Sequence, residues 1–248
     1  MTDPKQSATK MWSGRFREPL NKTFEEWQRS FTFDWRLLPQ EVAASKAHAR
    51  AIAAAGILTD AELATMLDGL DKVLAQTTLT PAIVASAPEA EDIHHFTEIL
   101  LTKIIGDLAL KLHTGRSRNE QIATDMRLFV RDAISATLTG LREWRKALID
   151  LAEQAGEAVM PSYTHLQRAE PVLVAHWLLT YVSQIERDSS RLVDARKRTN
   201  YCPLGSGAVT GATLALDRTI AARCLGFDAP TPNSVDATSE RDFALEFT

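Results

Sequence analysis

The spacing of proline constrains this chain more than any other feature. Prolines fall at positions 4, 19, 39, 81, 88, 161, 171, 203, 230 and 232, with none between Pro88 and Pro161 and none between Pro171 and Pro203. Proline breaks helix interiors, because it lacks an N–H and its ring clashes with the preceding turn. Long helices can therefore run in those two gaps. In the first, apolar residues recur at Ile122, Met126, Phe129, Ala133, Leu138, Leu141, Trp144, Leu148, Leu151 and Ala155. Most steps are three or four, the period of one helical face. The spacing predicts a helix over 121–155, roughly 50 Å long at ~1.5 Å per residue. Gly140 weakens it locally by ~1 kcal/mol. Such a rod exceeds the width of a small domain and must pack on other long helices, of this chain or of another.

A second helix is predicted from Pro171 to Thr199, with Pro171 in its first turn and Val174, Trp177, Leu178, Tyr181, Ile185 and Leu192 as its stripe. Shorter helices are expected over 39–55, 60–75, 91–111 and 216–225, the second capped by Thr59 or Asp60. Period-two alternation is nearly missing, so the fold class is all-α, a bundle of long helices. The closing residues ERDFALEFT read as the opening of another helix, so the chain is expected to be a fragment of a longer protein.

Of the 248 residues, 45% are apolar and 24% charged, enough for a sizeable core. A net charge of −4 gives no field to attract nucleic acid or an anionic membrane. The first ten residues, MTDPKQSATK, carry no apolar signal stretch, and no apolar run nears the ~18 residues of a spanning helix. A cytoplasmic protein is expected. Cys202 and Cys224 cannot make a disulfide framework and are expected as buried or half-buried thiols in a reducing compartment.

Three polar segments stand between the helices. HTGRSRN at 113–119 precedes the longest one. Free N–H groups and partial positive charge at a helix start attract a carboxylate or phosphate, and Arg116 and Arg118 could add charge-assisted hydrogen bonds. Equally, Ser117 or Asn119 could simply cap the helix. SYTHLQRAEP sets His165 beside Thr164, suited to proton transfer near neutral pH, or else a buried histidine with Thr164 as a cap. EDIHH at 91–95 has Glu-x-x-His spacing, but no second such segment exists, so no metal is expected. PLGSGAVTG lacks the Lys-Ser/Thr of a phosphate loop and reads as small-residue packing.

The strings MWSGRF (11–16), SFTFDWRL (30–37), EDIH (91–94), HTGRSRNEQ (113–121), YTHLQRAEP (163–171), PLGSGA (203–208) and SERDF (239–243), in this order, resemble the argininosuccinate lyases of the fumarase/aspartase superfamily. The resemblance runs from Met11 nearly to the end. Ser13 stands where glycine is common in that family, Glu120 and Glu240 where aspartate is, and Glu170 where glutamine is. The resemblance implies reversible β-elimination of argininosuccinate to arginine and fumarate, with no cofactor. It implies His165 as the general acid/base, Thr164, Ser30 and Asn119 as substrate-binding residues, and Ser117, Arg118 and Arg241 as further contacts, with Asp34 and His94 as weaker candidates. It implies a homotetramer whose active sites draw on three subunits, an N-terminal helical domain over 1–112, and the first part of a central bundle over 113–248. Family members are nearly twice as long. Their catalytic base is a serine on a loop of the form GSSxMPxKxN, which does not occur here, so this chain alone is expected not to turn over. A sister fumarate-releasing lyase and an inactive crystallin-like relative are the alternatives.

Overall fold

The computed structural model describes residues 21–77, 79–87 and 90–248; the MWSGRF string lies outside them. The elements run α1 (Lys22–Gln28), α2 (Phe31–Asp34), α3 (Leu38–Ala54), α4 (Asp60–Gln76), α5 (Pro81–Ala85), α6 (Ile93–Ile105), α7 (Arg118–Ala155), β1 (Val159–Thr164), β2 (Gln167–Leu173), α8 (Val174–Thr199), β3 (Tyr201–Cys202), α9 (Arg218–Cys224), β4 (Ala229–Pro230), α10 (Ser234–Ser239) and α11 (Asp242–Phe247).

Local chemistry sets the helix ends. At α4 the Thr59 side chain accepts from the Glu62 N–H while the Glu62 carboxylate accepts from the Thr59 N–H, a reciprocal cap that satisfies two orphan donors. Ser117 and Glu120 do the same at α7. The helix expected over 91–111 stops at Ile105, because Gly106 adopts φ +66° and a 3-10 stretch, Gly106–His113, follows.

The long helix is present and slightly longer than its apolar stripe predicts. Its 38 residues span about 57 Å at ~1.5 Å each. Helix α8 runs back antiparallel along it: Arg145 pairs with Glu186, and Arg196 donates to the Arg131 carbonyl and the Ser135 hydroxyl. The turn between them corrects the expectation for Pro171. That proline is not in the first turn of a helix but in β2, facing Pro161 of β1 in an antiparallel hairpin; α8 begins only at Val174.

The main core lies between α3, α4 and α6, where Phe31, Ile52, Met66, Leu70, Ile93 and Leu101 are fully buried and Phe31 stacks on Phe96 at 4.8 Å. A second cluster seats Leu204, Phe227 and α9 against Ala44, Ala47 and Leu128. A third packs Phe243 of α11 onto Val130 and Ile134 of α7. The outer length of the α7–α8 pair is different: Trp144, Leu151, Trp177 and Leu179 stand exposed. Cys202 is buried as expected, but Cys224 is exposed, because it ends α9 on its outer side. No helix among the described residues is long and apolar enough to cross a membrane.

Candidate active site

Ser30 precedes α2 but does not cap it. Its hydroxyl donates instead to Asp34 Oδ2 at 2.5 Å, and Asp34 Oδ1 accepts from the Ile93 N–H at 3.1 Å. The Ser30 and Phe31 N–H groups both donate to the Glu91 carbonyl. These bonds fasten the SFTFD segment onto the start of α6, which carries EDIH. Burial raises the Asp34 carboxyl above its ordinary range, opposed by the Ser30 hydrogen bond and reinforced by the charge of Asp92. Beside them lies a cavity of about 280 Å³. Ser30, Asp34 and His94 line one wall, and Ile122, Met126 and Phe129 of α7 line the other.

In HTGRSRN the last three side chains have distinct places. Ser117 is the helix cap; its hydroxyl accepts from the Asn119 N–H. Arg118 Nε lies 3.0 Å from Asp92 Oδ2, and its guanidinium also reaches Gln121 Oε1 at 2.9 Å. It thereby locks α6 to α7. Asn119 is exposed and donates from Nδ2 to the Ala208 carbonyl at 3.0 Å. The glycine-rich loop is held there by Glu120, whose Oε2 accepts from the Gly207 N–H. Gly207 has φ +64°, and a Cβ on it would lie 2.5 Å from the Gly211 carbonyl oxygen, so only glycine fits. Burial raises the Glu120 carboxyl, with backbone donors at Ser117, Gly207 and Gly205 opposing.

A buried polar centre connects these parts. Glu41 Oε1 accepts from the Ser45 hydroxyl at 2.6 Å and from Gln121 Nε2 at 3.3 Å, and Oε2 lies 2.6 Å from His94 Nδ1. Arg116 reaches Ser45 at 2.9 Å. Burial pushes the Glu41 carboxyl up, but the charge and hydrogen bond of His94, then Arg116 and Ser45, outweigh it and hold it well below the usual range. One atom each of Glu41, His94 and Asp125 lie within 4.8 Å of one another. These are donor atoms that a small cation could use, although Glu41 already accepts from Ser45, His94 and Gln121. The sequence reading did not single out Glu41, Gln121 or Asp125. A signal existed: Glu41 and Ser45, like Gln121 and Asp125, are one turn apart on helix faces that carry core residues.

Thr164 and His165 occupy the tip of the β1–β2 hairpin, where Thr164 pairs with Gln167. His165 has φ +50° and Leu166 φ +60°, the pair of left-handed residues that a tight two-residue hairpin turn requires. Neither is glycine, so the tip stores roughly 1–3 kcal/mol per strained residue. Thr164 and His165 are exposed and Leu166 is 97% exposed. Thr164 is therefore no helix cap and His165 no buried histidine.

Positions along α7 separate the candidates into two groups. Ser117, Arg118 and Asn119 stand at its start, beside the Ser30 cavity. Arg241 joins this end: it precedes α11, next to Glu240, whose carboxylate pairs with Arg127 of α7. The hairpin follows the other end of α7, some 57 Å away at ~1.5 Å per residue. His165 and Asn119 do not meet within one chain.

Residues 14–248 match the family model described as Lyase. The chain is 62% identical over 242 residues to an argininosuccinate lyase of Acidobacterium capsulatum, covering 96% of this chain and 50% of that one. It is 59% identical over 238 residues to an argininosuccinate lyase of Koribacter versatilis, with 96% and 50% covered. The chain thus spans about half the length of the curated relatives it matches. Among solved structures, an EDDS lyase variant with bound fumarate superposes with a TM-score of 0.73 at 28% identity, covering 89% of this chain and 44% of that one. The β-carboxy-cis,cis-muconate cycloisomerase of Acinetobacter calcoaceticus shares the fold, with a TM-score of 0.70 at 22% identity and 90% and 52% covered.

Proposed function

Because the chain belongs to the lyase family that its residues 14–248 match, we propose that it carries the binding and protonating half of an argininosuccinate lyase. The reaction breaks the C–N bond of argininosuccinate. A base removes the proton from the carbon beside a succinyl carboxylate, charge builds on that carboxylate, and the guanidino nitrogen leaves as arginine, with fumarate as the other product. Fixed donors must meet the developing charge, and the leaving nitrogen needs a proton. We assign Ser30, Asn119 and Thr164 to holding the substrate and His165 to the proton. Ser117, Arg118 and Arg241 act around them, the first two by shaping the start of α7 and its tie to α6. The serine base of the resembling family has no counterpart here, so turnover is expected only where that loop is supplied.

The observation that carries this reading is the hairpin tip. Nothing in this chain's own core calls for two non-glycine residues held left-handed on an exposed ribbon, yet that arrangement presents His165 outward at fixed geometry. A separation of some 57 Å along α7 then requires that His165 of one copy serve Asn119 and Ser30 of another. The exposed apolar flank of α7 and α8 supports such an assembly; we place it at four copies with shared sites, in the cytoplasm. We also divide the chain at 112/113, supported by the main core falling almost wholly between Phe31 and Leu112. The test is fumarate formation, followed by ultraviolet absorbance, by the complete enzyme with argininosuccinate, adenylosuccinate, aspartate and malate. Release from argininosuccinate alone is expected; release from another substrate in its place removes the proposal.

A further inference from the structure

We propose that Asp125 holds a proton and donates it to Glu41, and that this carboxyl pair fixes the His94 ring with Nδ1 toward Glu41 and its far edge toward the Ser30 cavity. Asp125 is fully buried, and neither of its carboxyl oxygens meets a hydrogen-bond donor. His94 Nδ1 is 3.6 Å from Asp125 Oδ2 but only 2.6 Å from Glu41 Oε2, so its proton is directed at Glu41. Carboxylate oxygens of Glu41 and Asp125 lie within 4.8 Å of each other, and two ionised carboxylates that close are strongly disfavoured in a dry interior when one of them has no donor. A proton on Asp125 turns one orphaned acceptor into a donor and removes one charge.

The surrounding groups agree. Helix α3 presents Glu41, Ser45 and His48, α6 presents His94 and Thr97, and Arg116, Arg118, Gln121 and Asp125 face them from the start of α7. Arg118 pairs with Asp92 and Glu98, and Arg116 donates from Nη1 to Ser45, so neither guanidinium hydrogen-bonds the Asp125 carboxyl. Burial, followed by the charge and hydrogen bond of Glu41, raises the Asp125 carboxyl well above its ordinary range, against the pull of Arg116 and Arg118. Asp125 is thus a positioning residue that acts through Glu41 on His94, and the inference stands on the cluster's geometry whatever substrate the cavity takes.

The experiment compares the full chain with Asp125→Asn and Asp125→Ala. The asparagine amide donates to Glu41 as the acid does. Asp125→Asn is expected to melt within about 4 °C of the unchanged chain, and Asp125→Ala to melt ~10 °C lower. The infrared spectrum of the unchanged chain at neutral pH should contain a protonated carboxylic-acid carbonyl band that Asp125→Asn loses. Nitrogen NMR should find the His94 proton on Nδ1 in both the unchanged chain and Asp125→Asn, and redistributed in Asp125→Ala. An Asp125→Asn variant that fails to fold or melts as low as Asp125→Ala overturns the proposal. So does the lack of an Asp125-dependent band, or one equivalent of metal retained by the purified chain and lost with Asp125.

Discussion

Replacing His165 with asparagine should lower fumarate release by the complete enzyme roughly 10²–10⁴-fold, the usual loss when a positioned acid is removed. The loss should fall on kcat rather than KM, because the proposed proton transfer occurs only as the C–N bond breaks. Asparagine is the informative choice. The position has φ +50°, and asparagine is among the few residues that tolerate the left-handed region, so the hairpin keeps its turn. The side chain is exposed and no core residue rests on it, so the melting temperature should move by less than ~2 °C, less than 1 kcal/mol of stability. Steady-state kinetics and circular dichroism on the same sample check both halves. Turnover within tenfold of the parent enzyme would remove His165 from the chemistry.

The largest stability effect is expected at Glu41. The residue is 0% exposed and accepts from Ser45, Gln121 and His94. Glu41→Ala leaves three buried donors unpaired and Arg116 without its counter-charge. Each stranded polar group costs ~1–3 kcal/mol, and breaking a buried ion pair from one side costs ~3–5 kcal/mol. These costs fall on one network and overlap rather than add; a loss of ~5 kcal/mol is a large part of the net stability of any domain and should lower the melting temperature by ~10–20 °C. The carboxyl is held below its ordinary value of 4.5. The stability it contributes is therefore complete above that value and drains away as pH falls below it, so the gap between parent and variant should narrow in acid. Denaturant titration at neutral and acid pH measures both; a loss under ~1 kcal/mol at neutral pH contradicts the assignment of Glu41 as the hub of the buried centre.

Helices were legible where burial imposes a period. The apolar stripe located α7 to within three residues at its start, Thr59 with Glu62 marked the start of α4, and ERDFALEFT opened α11. The β1–β2 hairpin was not legible, because alternation in a strand records one buried face and this ribbon has none: most of residues 159–173 are exposed. Pro161 and Pro171 read as helix punctuation, yet in the fold they face each other at positions where neither needs an N–H. The candidate site divides between what strings of sequence suggest and what only packing reveals. Ser30, Asn119 and His165 came from matched strings, and Ser117 was already readable as a cap. Glu41 and Asp125 stand 53 and 31 positions from His94 in sequence, and a polar residue on an apolar helix face gives no sign of its partner until the helices are packed.

The arrangement stands or falls on whether one copy lends its hairpin to another. Asn119→Ala and His165→Asn enzymes, each inactive alone, should be dissociated together, reassembled, and assayed for fumarate release. Sites built across copies predict that activity returns, because some sites in a mixed assembly draw an intact Asn119 from one parent and an intact His165 from the other. A reassembled mixture as inactive as its two parents would mean that both residues act within a single chain.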